Sequence, residues 1–410
     1  VTQKPDTDIS NWIRSIQEST FTAPAPPRLE TEQTRIIATQ LLAQLKPHTG
    51  GFKISPAQDH DYEILTLLYP CFDASEHMVL IISSLTHAHK FDLTDFILPI
   101  VSIEGKDFHC ASYLFPADLL ATTEILRIDE SELALKRTRY EWKELFNQAL
   151  PLDIAGSLPE KVPVSKTSQT RSVLSFRTRS LLCFSPNTQP LHHMRAYSAD
   201  IDGEIDAALF VPETVDSLLI LSDGATYLTD YPLLEELQSD KLTATTAVLF
   251  ITPTQEEKRF LLLGKEKALS NWLLDTGLAW VSTFMSIPQP DRCIIAGASL
   301  GGLAAAQLLR VAAHIAQKAI IQSASFWWYE TDPATEGSAL VQWSKHNPAV
   351  SLDIFLEVGT YEGYLLPWNR GFKKLLIEKN IAHTYREYSG GHDFACWRAG
   401  IIDGLRYFFS

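Results

Sequence analysis

The sequence has little of what a secreted, disulfide-stapled or metal-clustered protein needs. It holds only five cysteines, Cys71, Cys110, Cys183, Cys293 and Cys396. Their number is odd, they stand far apart and no CxxC occurs. That pattern argues against a disulfide framework or a zinc cluster and fits a reducing cytoplasm. Long apolar runs are also missing: no stretch reaches the roughly 18 residues of a membrane span. Residues 1–21, VTQKPDTDISNWIRSIQESTF, lack the basic region and apolar core of a secretory leader. Positive charge is scarce, with 35 Lys and Arg against 49 Asp and Glu, a formal net charge of -14. A chain this acidic is a poor binder of nucleic acid and carries no polybasic membrane anchor. There is no internal repeat and no low-complexity tract.

What is present is apolar material for two cores. The 410 residues exceed the size at which one core stops growing. From Tyr62 to Ile128 the chain shows short runs such as YEILTLLYP, HMVLIISSL, FILPIVSIEG and FHCASYLFP, which read as an antiparallel β-sandwich. Residues 129–149 read as helix. Residues 151–171 are rich in Pro, Ser and Thr and read as a linker. From residue 172 the style changes. SVLSF and IDGEIDAALFVP read as strands, and SLLILS, TAVLFIT, RCIIAGA, KAIIQSAS and LDIFLEVG as buried parallel ones, with helical stretches between them. The expectation is an N-terminal β-sandwich domain over 1–150 with helical ends. An α/β domain with a mostly parallel, doubly wound sheet follows over 172–410.

The strongest local signal is Gly297-Ala298-Ser299-Leu300-Gly301 at the junction of an apolar strand and an Ala/Leu-rich helix. G-x-S-x-G alone arises by chance in roughly one chain in ten of this length. The strand before it and the helix after it supply the context of a nucleophile elbow, in which a sharp turn lifts the hydroxyl clear of the sheet. Ser299 is thus the candidate nucleophile. Near the C-terminus, a strand-like AHTYREYS runs into Gly390-Gly391-His392-Asp393. In α/β-hydrolases the catalytic His follows the last strand and the chain order is Ser, acid, His, so His392 is the candidate base. The acid should lie near the end of LDIFLEVG. Glu362 stands just beyond that run and Glu357 inside it, and the former is the better placed. The backbone N–H of Leu300 and of Gly224, in Ser222-Asp223-Gly224, would complete an oxyanion hole. The remaining histidines, including His87, His89, His192 and His193, read as surface or packing residues. No metal site is expected.

These segments are spread along most of the chain and together resemble the enterochelin (enterobactin) esterases, which hydrolyse catecholate siderophores. FHCASYLFPADLLATTEIL resembles the family's N-terminal sandwich, SVLSF the start of its hydrolase domain, and SDGATY its Asp-Gly loop. GASLGGLAA, SASFWW, FLEVGTYEG with the later WN, and GGHDFACWRAGI resemble its nucleophile, post-strand, acid-loop and His segments. Glu362 falls where the family has a Glu seven residues before an Asn, here Asn369. The chain departs from the family after TAVLFIT, where Arg259 is present but the usual Glu-Leu is not. In the Asp-Gly loop Tyr227 replaces an aromatic residue in another register.

The resemblance implies a small-molecule substrate, a serine trilactone carrying catechol amides, free or as its anionic ferric complex. Trp327, Trp328, Trp368 and Arg259 are then candidates for holding catechol rings and negative charge. Iron would arrive with the substrate, and no resident cofactor is implied. The N-terminal domain would wall one side of the cleft. Two other readings remain open here. One is a feruloyl or acetyl esterase with a carbohydrate-binding N-terminal domain. The other is a non-catalytic siderophore-binding protein. Nothing in the sequence sets the oligomeric state.

Overall fold

The computed structural model describes Ser15 and residues 22–45, 50–152, 173–175, 187–328 and 338–410. The chain divides into two compact units. The first holds the described residues between 22 and 182 together with 388–395. The second holds those between 183 and 387 together with 396–410.

The first unit contains strands β1 (Gly51–Pro56), β2 (Tyr62–Pro70), β3 (Glu76–Ile82), β4 (Ile100–Ile103), β5 (Lys106–Pro116), β6 (Leu120–Asp129), β7 (Leu150–Pro151) and β8 (Val173–Ser175). They form two antiparallel sheets, β1-β2-β5-β4 and β3-β6-β7, with β8 also paired to β6. The helix Thr31–Leu42, which sequence periodicity did not single out, packs Ala38 and Leu41 into a cluster with Leu68, Val101, Phe108 and Cys110. β2 is buried on both faces from Leu65 to Tyr69, which explains its nearly unbroken apolar run. The helix expected over 129–149 is two short ones, Glu130–Leu133 and Arg139–Phe146. Thr138 and Glu141 form a capping box that starts the second afresh.

SVLSF does not open the second sheet. Val173–Ser175 pairs antiparallel with Leu120–Thr122. β3 leaves β6 at Thr123, so the first residues of β6 still have backbone groups to pair, and β8 supplies partners. Of the expected linker, residues 153–171 lie outside the described residues, and Pro151 belongs to β7.

The second unit holds β9 (His192–Ser198), β10 (Gly203–Phe210), β11 (Ser217–Ser222), β12 (Thr246–Pro253), β13 (Cys293–Ala298), β14 (Lys318–Gln322), β15 (Asp353–Gly359) and β16 (Ala382–Tyr388), in the order β16-β15-β14-β13-β11-β12-β10-β9. β12, β11, β13, β14 and β15 run parallel, while β10 is antiparallel to both β12 and β9. Every residue of β11 and β13 is buried, as expected of strands covered on both faces. Each fully buried Leu or Ile there contributes about 1.5–3 kcal/mol. The helix Leu300–Val311 buries all but its last two residues, whereas Leu365–Glu378 turns a polar face outward. The fold is that of an α/β-hydrolase preceded by antiparallel sheets. Among the described residues, no helix is long and apolar enough to cross a membrane.

Candidate active site

Strand β13 ends at Ala298 and the helix begins at Leu300, leaving Ser299 alone to make the turn. Its backbone sits at φ 59, ψ -120, a region that L-residues occupy only under constraint. The constraint is visible. Ser299 N–H donates to Gln322 O at 3.0 Å, and Ser299 O accepts from Leu303 N–H at 3.1 Å and Ser325 N–H at 3.0 Å. The flanking glycines are steric requirements. A Cβ on Gly297 would lie 2.5 Å from the carbonyl of Gly301, and one on Gly302 would lie 2.9 Å from Gln322 O. Ser299 is partly exposed and its Oγ lies 3.2 Å from Ser325 Oγ. As first residue of a helix, Leu300 has no carbonyl one turn back to receive its N–H, so that donor is available beside the serine.

The loop after β14 lines up with the acid candidate. Ser323 has φ 47, and its Oγ donates to Glu362 Oε1 at 2.5 Å while accepting from Trp397 Nε1 at 3.0 Å. Gly359 N–H donates to the same Oε1 at 2.7 Å. Glu362 is 5% exposed, so its carboxylate is held rather than solvated. Asn369 staples the loop from the other side. Its Oδ1 accepts from Ala324 N–H at 3.0 Å, and its Nδ2 donates to Ala324 O at 3.1 Å and Leu365 O at 2.9 Å. Glu357 has a different job. It is fully buried, Oε2 accepts from Arg386, and Oε1 accepts from Gln322 Nε2 at 2.7 Å. Arg386 also reaches Asp403 at 2.6 Å. Both acidic candidates are therefore placed, and Glu357 is committed to an internal ion pair.

The Asp-Gly loop lies against the elbow. A Cβ on Gly301 would be 3.1 Å from Ser222 Cβ and 3.6 Å from Asp223 Oδ2. Gly224 is needed for space: a Cβ there would sit 2.5 Å from Phe250 Cβ and 2.7 Å from Ile251 N. Asp223 is left-handed at φ 58 and accepts both Nε and Nη2 of Arg259, at 2.5 and 2.7 Å. Arg259 was expected to face an anionic ligand. Its charge is instead spent on Asp223. Burial pulls the guanidinium pKa down, but the Asp223 carboxylate more than offsets this and leaves it above its ordinary value. Tyr227, the aromatic of the same loop, is 1% exposed and packs inward, and burial holds its phenol well above the ordinary range.

Trp368 is also corrected. At 3% exposure it belongs to the core cluster beneath β13–β15, because helix Leu365–Glu378 turns that face to the sheet. Trp327 and Trp328 are half-buried and follow Ser325 after one intervening residue, the buried Phe326. Trp327 meets Trp328 at 5.8 Å and Tyr364 at 6.1 Å, both edge-to-face, and Trp328 meets Phe260 at 5.6 Å. Phe260 and Tyr364 are 43% and 47% exposed. Tyr364, Trp327, Trp328 and Phe260 thus form a row of four rings, with Trp327 two residues after Ser325, the neighbour of the nucleophile. Composition gave no signal for Phe260 or Tyr364, and Ser323, Ser325 and Trp397 escaped too, since each acts through a partner distant in sequence. No group of three His, Cys, Asp or Glu among the described residues stands ready for a metal ion.

His392 lies on the loop between β16 and the helix Phe394–Phe409, and this loop clusters with the first unit. Its N–H donates to Ser84 Oγ at 2.7 Å. The neighbouring Asp393 accepts from Thr122 N–H at 2.6 Å, Thr122 Oγ1 at 3.0 Å and Ala395 N–H at 2.9 Å.

Residues 263–408 match the Esterase family. The chain is 26% identical to an iron(III) enterobactin esterase of Dickeya dadantii over 307 residues, covering 69% of this chain and 70% of that one. Among solved structures, the ferric enterobactin esterase of Salmonella typhimurium superimposes with a TM-score of 0.71 at 20% identity, over 90% of this chain and 98% of that one. The enterobactin esterase of Shigella flexneri, solved in the presence of enterobactin, gives 0.69 at 19% identity, over 89% and 96%. At these identities the structures establish the shared fold.

Proposed function

We propose, for a chain that belongs to the enterochelin (enterobactin) esterase family of the α/β-hydrolases, that the reaction is hydrolysis of the ester bonds of an enterobactin-like catecholate siderophore. The observation that carries the reading is Ser299, held at φ 59, ψ -120 between a buried strand and a helix N-terminus. Backbone strain of this kind clusters at active sites, and the glycines around Ser299 leave the space that permits it.

In this reading Ser299 Oγ attacks the ester carbonyl while His392 takes its proton. The new C–O bond pushes the carbonyl electrons onto oxygen, and the N–H groups of Leu300 and Gly224 receive the oxyanion. Collapse breaks the ester C–O bond, and the leaving serine hydroxyl takes the proton from His392. Water then resolves the acyl-enzyme by the same steps. Glu362 orients the imidazole. Trp327 and Trp328, with Tyr364 and Phe260, offer faces and edges to catechol rings. Iron enters only as the substrate's cargo. The free thiols of Cys71, Cys110, Cys293 and Cys396 support a cytoplasmic, reducing setting.

A fluorophosphonate probe followed by peptide mass spectrometry should find the adduct on Ser299. Ser299→Ala should lower siderophore hydrolysis by about 10³-fold or more with the circular dichroism spectrum unchanged. Near-wild-type turnover in that variant would sink the proposal.

A further inference from the structure

We propose that Thr122 and Ser84, on strand β6 and on the turn after β3, are positioning residues for His392, so that they act on catalysis and not on substrate affinity. The inference rests on His392 being the base.

The loop carrying His392 contains Gly390 and Gly391, which give it backbone freedom and little stiffness of its own. The bonds that hold it come from the first unit. Leu120 N–H donates to Ser389 O at 3.0 Å. Ser84 Oγ takes the N–H of His392 itself. One residue later, Thr122 N–H and Oγ1 grip the two oxygens of Asp393 separately. That fork fixes the carboxylate in direction as well as position. Asp393 also accepts from Ala395 N–H and so caps the last helix, which ties the fork to the helix start. Packing repeats the message. A Cβ on Gly391 would lie 2.5 Å from Ser83 O and 2.6 Å from Ser84 Cβ, so only glycine allows the loop to seat against this turn. Ser84 is itself at φ 65, and Ser83 N–H is held by Thr122 O at 3.0 Å. Thr122 therefore bonds both the turn that carries Ser84 and the residue beside His392.

A general base displaced by about 1 Å can cost roughly a hundredfold in rate. His392 is gripped at its own amide and at the next side chain, so loosening either grip should reach the ring. The expectation differs from that of a wall, which would act on substrate affinity.

The test compares Thr122→Val, Thr122→Ser and Ser84→Ala in the full chain, alone and combined with His392→Ala. Rates are measured on an enterobactin-type trilactone and on p-nitrophenyl acetate. Thr122→Val should lower kcat on both substrates between about ten- and a hundredfold, with KM little changed. Thr122→Ser, which keeps the hydroxyl, should recover most of the loss. In the His392→Ala background the Thr122→Val change should alter the residual rate by less than about twofold, because the two residues act through one ring. If Thr122→Val does not fold, Ser84→Ala removes the acceptor of the His392 N–H and carries the same expectations. An equal loss with and without His392, or a rise in KM confined to the trilactone, would overturn the inference. Near-wild-type turnover of His392→Ala alone would instead remove His392 as base, a result distinct from either.

Discussion

Two carboxylates stand near the end of β15, and exchanging each for its amide separates their roles. In Glu362→Gln the side-chain carbonyl can keep both donors that Oε1 now accepts, Ser323 Oγ and Gly359 N–H. The volume is unchanged and the thermal midpoint should hardly move. The amide nitrogen, however, takes the place of Oε2 and can only donate. If Glu362 accepts the imidazole N–H, the variant sets a donor against a donor and loses the charge that stabilises the imidazolium. We expect kcat to fall between about 10² and 10⁴-fold, about 3–5 kcal/mol of transition-state stabilisation. Glu357→Gln should do the reverse. It removes the negative charge that Arg386 faces in a buried pair, a loss of the order of the roughly 3–5 kcal/mol that breaking such a pair costs. Arg386 keeps Asp403, so the lower end applies. At about 2–4 °C per kcal/mol for a unit of this size, the midpoint should drop by roughly 6–12 °C. Initial rates taken well below both transitions, with melting curves on the same samples, read both effects. A crippled but thermally intact Glu357→Gln beside an active Glu362→Gln would refute the assignment.

Three further outcomes follow from named contacts. Trp327→Ala should raise KM for a catecholate trilactone roughly three- to tenfold, through lost edge and face contacts, while leaving p-nitrophenyl acetate unaffected. Steady-state kinetics on both substrates decide it. Arg259→Lys replaces a bidentate grip on Asp223 by a point charge, so kcat should fall more than KM changes, for iron-free and ferric substrate alike. A selective loss of affinity for the ferric form would restore Arg259 as an anion binder. His109 is 1% exposed and burial holds its imidazole below the ordinary value of 6.5. The unfolded chain then binds the extra proton first, so stability is full above about pH 6.5 and is lost as pH falls toward the lowered folded value. Melting curves from pH 7 to 5 should show the decline, and His109→Leu should flatten it.

The second unit was legible because its signals are local. Short apolar runs alternating with helical stretches specify a parallel sheet, and β11 to β15 appear where those runs stand. The first unit was legible only in part. Thr31–Leu42 has a modest apolar face, and its burial depends on Leu68, Val101 and Phe108, which lie far along the chain. Val173–Ser175 looked like the start of the second sheet because a three-residue run says nothing about its partner. The ladder to Leu120–Thr122 is a long-range choice.

The same distinction governs the site. The nucleophile was legible because the elbow is made by five consecutive residues, and glycine spacing records steric limits that act between near neighbours. The roles of charged groups were not, because a charge is defined by what neutralises it. Glu357 and Glu362 are five positions apart on one segment, yet one meets Arg386 and the other Ser323 and the Gly359 amide. Arg259 reads as available to a ligand in the sequence, yet Asp223, 36 positions away, takes its Nε and Nη2 donors. His392 is the hardest case. Chain order alone assigns it to the hydrolase half. Its amide bond to Ser84, 308 positions away, and the Asp393–Thr122 fork assign its placement to the other unit. A motif names the group that does chemistry; the residues that aim it lie wherever the fold returns the chain, and here that is 271 and 308 positions upstream.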